Sequence, residues 1–417
     1  MNSQTFFKFD ATRVPSPCFV IDEAVIEQNL KVLHTVQQES GAKVLLALKA
    51  FSMFALAPVI MKYLSGCCAS GLHEALLAHE YFGGREYGAD KREVHVYSPA
   101  YSEAEIHRLC DFADHLVFNS FSQWQRFQAK VLLRQQQRPE LRCGLRINPM
   151  LSLGEVEMYD PCAAGSRLGI NADVFRQYTQ GVSAAGKAET LQGISGLHFH
   201  TLCEQGVVPL LETLDAIEQQ FADILPQMQW LNLGGGHHIT QADYDVAALI
   251  KKIRILQRKY QLQVYLEPGE AVAINSGVLV SEVLDLPYNQ MDLAIVDTSA
   301  TCHMPDTLEM PYRAGIFLQT TSDQQSVVAA HKGEKDYNYR LGGQTCLAGD
   351  VMGDYSFEHP LSVGQRLMFD DMAHYTMVKT STFNGMPLPA IAIWNSATDQ
   401  LRMVKQFDYA DFQSRLS

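Results

Sequence analysis

The chain has 417 residues, of which 47% are hydrophobic and 19% charged, a globular composition at a length that favours two domains. Its formal net charge of -13 argues against extended binding to nucleic acid or to an anionic membrane surface. Because no apolar run reaches the length of a membrane span, the N-terminus lacks a signal-peptide pattern and the nine cysteines include no CxxC pair, we expect a soluble, cytoplasmic protein with free thiols.

Between residues 15 and 270, short apolar segments alternate with longer segments of helical periodicity. The apolar segments are bounded by Gly, Ser, Asn or Pro, as strands commonly are, and repeated strand–helix units imply parallel strands. Eight units favour a (β/α)8 TIM-type barrel over an open doubly wound sheet, because the early GxGxxG motif of that sheet is absent. The predicted strands are residues 44–48, 66–69, 94–97, 115–118, 141–147, 194–200, 230–233 and 264–267.

After residue 271, strand-like segments follow one another with short turns and without long helices. This pattern predicts a mostly antiparallel β-barrel or sandwich domain over residues 271–417, with residues 1–14 packed on it, after a barrel domain over residues 15–270. The strands predicted in the second domain are residues 278–284, 293–296, 327–331, 366–369, 377–382, 391–394 and 401–407.

Side chains able to do chemistry follow most of the predicted barrel strands, where (β/α)8 barrels carry their active sites. Lys49 follows the first strand, and a partly desolvated lysine can lose its proton and attack an aldehyde carbon. The alternative is a lysine that extends from a core strand to water. The other residues at strand ends are Ser70, Ser98, Asn119, Arg146, Asn148, His198, His200, Gly234, Gly235, Gly236 and Glu267.

Three consecutive glycines, Gly234 to Gly236, follow the seventh strand. Such a turn can direct several backbone N–H groups at one phosphate, although a plain tight turn would explain it as well. Glu267 ends the eighth strand, where its carboxylate could hold a proton on a ring nitrogen or form a structural salt bridge. A lysine for an aldehyde, glycines for a phosphate and a carboxylate for a ring nitrogen together predict pyridoxal 5′-phosphate (PLP) as the cofactor.

His198 and His200 lie two residues apart, on the same side of the sixth strand. With Cys203 and Glu204 nearby they could bind a metal, as in a metal-dependent barrel hydrolase, but no HExxH-type spacing supports this. A histidine that stacks on a cofactor ring fits the other residues better, and we predict no metal.

The order Lys49, histidine strand, Gly234–Gly-Gly, Glu267-Pro-Gly and downstream Cys346 resembles the fold type III (alanine racemase-like) PLP-dependent decarboxylases, which include ornithine, arginine and diaminopimelate decarboxylases. The resemblance covers essentially the whole chain. Segments 66–74, 196–204 and 342–350 look like those of family members that decarboxylate carboxylated triamines in polyamine biosynthesis. The resemblance implies a polyamine-type substrate and a homodimer whose active site is shared across the interface.

Individual roles are implied by the same resemblance. Lys49 would bind the cofactor aldehyde, His198 would stack on its ring, and Glu267 would contact the pyridine nitrogen. Cys346 would enter from the second subunit and return a proton to Cα after CO₂ leaves. The other implied cofactor contacts are Ser70, Arg146, His200, Thr201, Gly234, Gly235, Gly236, Gly269 and Tyr375.

The chain departs from the family pattern at two positions. Glu270 stands where many relatives have an arginine, and Leu347 follows Cys346 where relatives have an acidic residue. We therefore expect the distal amines to be received elsewhere, the alternative being ordinary solvated loop charges. The candidate residues are Asp306, Glu309, Asp350 and Glu270.

Three other functions remain as alternatives. One is decarboxylation of diaminopimelate or ornithine, another is an amino-acid racemase and the third is a non-catalytic PLP-binding protein. Glu267 argues against a racemase, since racemases of this fold resemble one another in placing an arginine at the pyridine nitrogen. The second domain and Cys346 argue against the binding protein, which resembles a lone barrel.

Overall fold

The computed structural model describes residues 4–83, 91–154, 156–179, 189–319 and 326–417. It divides the chain into a barrel unit, Asn29–Val272, and a sheet unit made of the residues up to Gln28 together with Ala273–Ser417. The first strand, β1 (Cys18–Asp22), belongs to the sheet unit. Within the described residues, no helix has the length and apolar character that crossing a membrane requires.

In the described part of the barrel unit, eight parallel strands close into a barrel, with the last strand paired to the first. This confirms the predicted (β/α)8 barrel. The strands are β2 (Lys43–Ala47), β3 (Gly66–Ala69), β4 (Glu93–Tyr97), β5 (His115–Phe118), β6 (Arg142–Arg146), β7 (Ile194–His198), β8 (Trp230–Asn232) and β9 (Gln263–Leu266).

The barrel interior is packed around the Trp230 indole. Gly144 on β6 and Gly196 on β7 make room for the indole, because a Cβ on either glycine would come closer than 3.0 Å to the ring. Leu45 and Val117 complete this core, so the barrel is a solid scaffold for the residues at its strand ends.

Helices connect the barrel strands, and short polar residues begin several of them. Ser102 forms a capping box with Glu105, and Ser120 and Asp245 cap the two long helices that follow later in the chain. The helices up to the end of the barrel unit are α1 (Glu23–Ser40), α2 (Ala57–Ile60), α3 (Leu72–Leu77), α4 (Glu103–Phe112), α5 (Phe121–Gln137), α6 (Ala172–Thr179), α7 (Val207–Gln220), α8 (Val246–Tyr260) and α9 (Glu270–Ala273), with a π-helical turn at Ala78–Phe82 and 3₁₀ turns at Phe54–Leu56, Glu157–Tyr159 and Leu225–Gln227.

The sheet unit holds an 11-stranded sheet in the part of the chain that is described. Two pairs, β1 with β18 and β11 with β15, are parallel and the rest are antiparallel, as predicted. After β1 come β10 (Gly277–Asp285), β11 (Leu293–Val296), β12 (Ile316–Gln319), β13 (Ser326–Val328), β14 (Ala330–His331), β15 (Tyr337–Gly342), β16 (Val351–Phe357), β17 (Arg366–Asp370), β18 (Ala390–Asn395) and β19 (Gln400–Lys405).

Each face of this sheet carries an apolar cluster. Leu279 and Val283 of β10 pack into one apolar cluster, whereas Val278 and Val280 pack into the other, so alternate residues of one strand serve two cores. The short helices of the sheet unit are α10 (Ala300–His303), α11 (Asp306–Glu309) and α12 (Tyr409–Gln413), with 3₁₀ turns at Gln4–Lys8, Ala11–Arg13, Met377–Lys379 and Phe383–Gly385.

Two details of the predicted organisation differ from the structure. Residues 15–28 were assigned to the barrel, but β1 lies between β10 and β18 and pairs with both. The strand predicted at residues 377–382 is wrong. There the backbone turns at Tyr375, which has a φ of 51°, and the Lys379 amide donates to the Thr376 carbonyl in a 3₁₀ turn.

Candidate active site

Lys49 lies two residues beyond β2, beside His200 at the end of β7. Its Nζ is 3.4 Å from His200 Nε2, and the Gly235 amide donates to His200 Nδ1 at 3.0 Å. That hydrogen bond assigns the proton of a neutral His200 ring to Nε2, which faces the lysine. Desolvation lowers the pKa of Lys49, the positive charge of Arg146 acts in the same direction, and burial also holds the pKa of His200 well below its usual value. At a lysine whose side chain reaches solvent, both effects act in the direction of the neutral, nucleophilic amine.

Glu267 follows β9, and its carboxylate, which is 13% exposed, has two neighbours. Its Oε1 accepts from Asn232 Nδ2 at 2.7 Å, and its Oε2 lies 3.4 Å from His198 Nε2. Burial alone would raise the pKa of Glu267, but His198 and Asn232 outweigh it and hold the pKa at about 2. Glu267 is therefore ionised at neutral pH.

His198 is 1% exposed, and neither of its ring nitrogens has a hydrogen-bond partner among the described residues. Burial lowers its pKa. A buried polar ring without a partner, next to an ionised carboxylate, is unusual in a folded protein and is consistent with a ligand site.

The glycine turn packs too closely for any side chain. A Cβ on Gly234, Gly235 or Gly236 would come closer than 3.0 Å to a backbone carbonyl oxygen. The Gly234 amide donates to Asn232 and the Gly235 amide to His200, whereas the amides of Gly236 and His237 donate to none of the described residues. Two neighbouring amides in a glycine turn have the arrangement that can bind a phosphate, and phosphate binding by this turn stays a prediction.

Arg146 is the last residue of β6, and it holds the segment that follows β7 in place. Its Nη2 donates to the His200 carbonyl at 2.9 Å, and its guanidinium lies 4.5 Å from the centroid of the Tyr97 ring. Tyr97 in turn donates to Asn119 at 2.7 Å. The sequence interpretation missed Asn232 and Tyr97 as members of this set, although both end barrel strands.

The remaining predicted residues of the barrel unit have structural partners. Ser70 is exposed and its amide donates to Glu74. Thr201 is buried with its hydroxyl 3.5 Å from that of Thr213 in α7, which argues against the predicted cofactor contact. Gly269 packs against β2, where a Cβ would come closer than 3.0 Å to Ala50.

Glu270 is paired with a neighbour of the glycine turn, since its Oε1 lies 3.0 Å from His238 Nε2. This contact with His238 explains an acidic residue at position 270 without a substrate amine. It argues against the predicted role of Glu270 in substrate binding.

In the sheet unit, Asp350 also has a different role from the predicted one. Its carboxylate is 4% exposed and accepts hydrogen bonds from Ser299, Thr301 and Thr345. Its oxygens are occupied by neighbours in its own chain, so Asp350 is not placed to receive an amine. Cys346, four residues earlier, is exposed.

Asp306 and Glu309 both contact the ammonium of Lys379, Glu309 at 2.6 Å. Two carboxylates share one ammonium, so the group keeps one net negative charge. Tyr375 lies in the same segment as Lys379, five residues beyond β17.

The structure does not favour metal binding by His198 and His200, because their rings face different partners, Glu267 and Lys49. Glu93, His95 and His115 form a second group near the N-terminal ends of β4 and β5. The two rings there stack with their centroids 3.8 Å apart and their planes 13° apart, and the Lys43 ammonium already pairs with Glu93. A metal bound here would have to displace Lys43 from Glu93, and the absence of a metal stays a prediction.

Comparisons with known proteins agree with this site. A family model described as pyridoxal-dependent decarboxylase, C-terminal sheet domain, matches residues 18–373. The chain is 40% identical over 404 residues to the carboxynorspermidine/carboxyspermidine decarboxylase of Campylobacter jejuni, covering 97% of this chain and 99% of the relative. It is 41% identical over 405 residues to the carboxyaminopropylagmatine decarboxylase of Synechocystis sp., covering 97% and 96%.

A crystal structure of carboxynorspermidine decarboxylase from Campylobacter jejuni, complexed with norspermidine, superposes with a TM-score of 0.81 at 39% identity, covering 96% of this chain and all 100% of that one. Sequence, fold and site thus agree, and the chain belongs to the PLP-dependent decarboxylases of fold type III.

Proposed function

We propose that the protein decarboxylates carboxynorspermidine to norspermidine, carboxyspermidine to spermidine, or both, with release of CO₂, as a step of polyamine biosynthesis. The observation that carries the proposal is the Lys49, Glu267 and glycine-turn arrangement at one end of the barrel. Full-length identity of 40% to a relative named for these two substrates supports it.

The residues present fit PLP. The free amides of Gly236 and His237 would hold the phosphate, Glu267 the pyridine nitrogen and Lys49 the aldehyde. When bound, PLP accepts the electrons that remain on Cα when CO₂ leaves. The protein's part is to place these groups around it and to keep their protonation states.

Glu267 would keep a proton on the ring nitrogen of bound PLP because its own pKa of about 2 leaves it ionised. An ionised carboxylate there attracts a positive N–H group, whereas an arginine would repel it. This is why the site favours decarboxylation over racemisation.

His200 is the better candidate for the ring-stacking residue, which reverses the role first expected of His198. His200 is next to the Lys49 amine and is held by the Gly235 amide. His198 lies against Glu267 instead, and there it supports the carboxylate.

Asp306 and Glu309 would receive a distal ammonium of the substrate. Desolvation raises the pKa of Asp306, and the hydrogen bond from Lys379 lowers the pKa of Glu309. Because Lys379 neutralises only one of the two charges, the pair retains attraction for a further cation.

The protein would act as a homodimer in the cytoplasm, with Cys346 of one copy serving the barrel of the other. Cys346 is exposed and followed by Leu347, which is 45% exposed, as expected for a surface that a second copy covers. None of the nine cysteines forms a disulfide, in keeping with a reducing compartment. Mixing Lys49→Ala and Cys346→Ala proteins should raise norspermidine formation above that of either protein alone, since mixed dimers would contain one intact site.

The Synechocystis relative gives a second candidate substrate, carboxyaminopropylagmatine, at the same level of identity. Its distal end is a guanidinium, which can bind a carboxylate through two parallel hydrogen bonds. Asp306 and Glu309 could accept either cation, so the choice between them needs a direct measurement.

The test is CO₂ release by the PLP-loaded protein from carboxynorspermidine, carboxyspermidine, carboxyaminopropylagmatine, meso-diaminopimelate and ornithine. We expect release from the carboxy-triamines and loss of this activity in Lys49→Ala. Lys62→Ala, which removes an exposed lysine of the barrel unit, should keep the wild-type activity. Release only from carboxyaminopropylagmatine would establish the second candidate. Release only from diaminopimelate or ornithine would refute the proposed substrate class.

A further inference from the structure

The turn between β15 and β16, residues 343–350, carries the exposed Cys346 and is fixed at several points. We call it the Cys346 loop. The Gly343 amide donates to the Asp350 carbonyl at 2.9 Å, which closes the base of the loop. At its tip, the Cys346 amide donates to the side chain of Asn384 at 2.9 Å. The thiol is therefore exposed on a backbone that is held in place.

Asp350 is the main support of this loop. Its carboxylate accepts from the Thr345 hydroxyl at 2.8 Å and from the Thr345 amide at 3.3 Å. It also accepts from the Ser299 hydroxyl, at 2.9 and 3.0 Å to its two oxygens, and from the Thr301 amide at 3.2 Å. These donors join the loop to α10, which Ser299 caps.

Burying a carboxylate costs free energy unless hydrogen-bond donors replace its water, so the donors around Asp350 must be placed specifically. At 4% exposure Asp350 has lost its water, and neutral donors alone replace it. Gly343 passes so near that a Cβ would come closer than 3.0 Å to the carboxylate. The Cys346 loop therefore packs closely around the Asp350 carboxylate and donates hydrogen bonds to it.

We propose that Asp350 is a positioning residue, which fixes the Cys346 thiol for proton donation; this rests on the proposed function. Asp350 holds both N–H and O–H of Thr345, and Asn384 holds the next amide, so two successive residues are fixed. A proton donor must be positioned to within about 1 Å, since such a displacement can cost about 100-fold in rate.

The donated proton determines the product. With the thiol in place, its S–H bond breaks, a C–H bond forms at Cα, and the thiolate regains a proton from water. With the thiol displaced, the proton would not be delivered to Cα, and part of the decarboxylated substrate would be released by water as an aldehyde. Its nitrogen would then remain with the cofactor as pyridoxamine 5′-phosphate.

The experiment compares CO₂ with norspermidine formed from carboxynorspermidine by PLP-loaded wild type, Asp350→Asn, Cys346→Ala and Asp336→Asn. Asn keeps the shape of Asp350 but replaces one acceptor oxygen by an N–H donor that faces the same donors. We expect norspermidine per CO₂ to fall several-fold in Asp350→Asn and Cys346→Ala, with pyridoxamine 5′-phosphate accumulating. Asp336→Asn, an exposed aspartate just before β15, should match wild type.

Hydrogen exchange of the loop peptide gives a second readout that is independent of catalysis. We expect the amides of Thr345 and Cys346 to exchange at least about tenfold faster in Asp350→Asn, because the Thr345 amide loses its acceptor. If Asp350→Asn does not fold, Thr345→Val replaces it. Valine keeps the carboxylate buried but removes the hydroxyl bond.

The outcomes separate the two proposals. A norspermidine-to-CO₂ ratio that stays at the wild-type value in Asp350→Asn overturns the positioning role, as does unchanged exchange. An unchanged ratio in Cys346→Ala would show that the thiol is not the proton donor. Absence of CO₂ from the wild type would refute the proposed function itself.

Discussion

The negative charge of Glu267 is maintained by its neighbours Asn232 and His198, which lower its pKa. Replacing Glu267 by Gln keeps the shape and an acceptor for Asn232 but removes the charge opposite His198. We expect Glu267→Gln to lower kcat by about 10²–10³-fold, the usual cost of losing one preorganised electrostatic group. Steady-state kinetics with carboxynorspermidine would measure this. Glu103→Gln, an exposed change on α4, is the control, and an equal kcat in both variants would contradict the assignment.

Replacing Lys379 is expected to strengthen ligand binding, whereas replacing Glu267 is expected to weaken catalysis. Lys379→Met leaves Asp306 and Glu309 with two uncompensated charges, so norspermidine should bind more tightly. The gain should be about fivefold at most, because exposed ion pairs are worth roughly 1 kcal/mol or less. Calorimetric titration of the PLP-loaded protein measures it. Lys335→Met, which breaks the 3.1 Å pair with Glu358 in the same unit, should have no effect. Weaker or unchanged binding in Lys379→Met would show that the two carboxylates are structural.

For single residues, the sequence reveals which residue types lie at a strand end, but not the direction in which their side chains point. The positions of Lys49, Glu267 and the three glycines just after barrel strands could be predicted from the strand pattern, whereas their roles stay predictions. His198 and His200 were predicted to face the same side because the two-residue period was extended beyond the strand, which ends at His198. Which of the two rings stacks on the cofactor stays a prediction. Asp350 was misread because a sequence shows the charge but not the four donors that surround it.

The element that tests the cofactor site is the glycine turn after β8. A Cβ on Gly235 would overlap a backbone carbonyl, and its amide orients His200. We expect Gly235→Ala to shift the turn and to weaken PLP binding by about tenfold or more, by analogy with the cost of a 1 Å displacement. The measurement is the PLP dissociation constant from its absorbance. Gly206→Ala, where a Cβ meets nothing within 4 Å, is the matched control. Equal affinities would show that the turn does not hold the phosphate.

The elements differed in how well they could be predicted. The barrel strands were found because each is a short apolar segment between amphipathic helices such as Glu103–Phe112 and Phe121–Gln137. In the sheet unit, β15 and β16 were missed because exposed, polar residues alternate with few buried ones in β15. Such strands are defined by pairing with partners distant in the chain, as when β1 pairs with β10 and β18.

Across the whole molecule, buried histidines couple folding to pH. Burial lowers the pKa of His237 to about 3 and that of His303 to about 4, and also lowers those of His115, His198 and His200. His303 accepts from the Ser299 amide at Nδ1 and lies 3.0 Å from the Pro387 carbonyl at Nε2, an arrangement that suits the neutral ring. In the unfolded chain the same rings titrate near pH 6.5.

The sign of the pH dependence follows from these directions. Between pH 6.5 and the lowered values the unfolded chain binds more protons, so stability is complete above pH 6.5 and is lost as the pH falls. Each such histidine costs about 1.4 kcal/mol per pH unit within its window. Urea unfolding at pH 7.5, 6.5, 5.5 and 4.5 should therefore show a falling free energy of unfolding well before the carboxylates titrate. In His303→Gln the slope between pH 6.5 and about 4 should decrease by the contribution of one proton. His331→Gln, an exposed histidine of the same unit, should keep the wild-type slope. An unchanged slope in His303→Gln would mean that His303 is protonated in the folded protein, against the neutral ring that its two hydrogen bonds require.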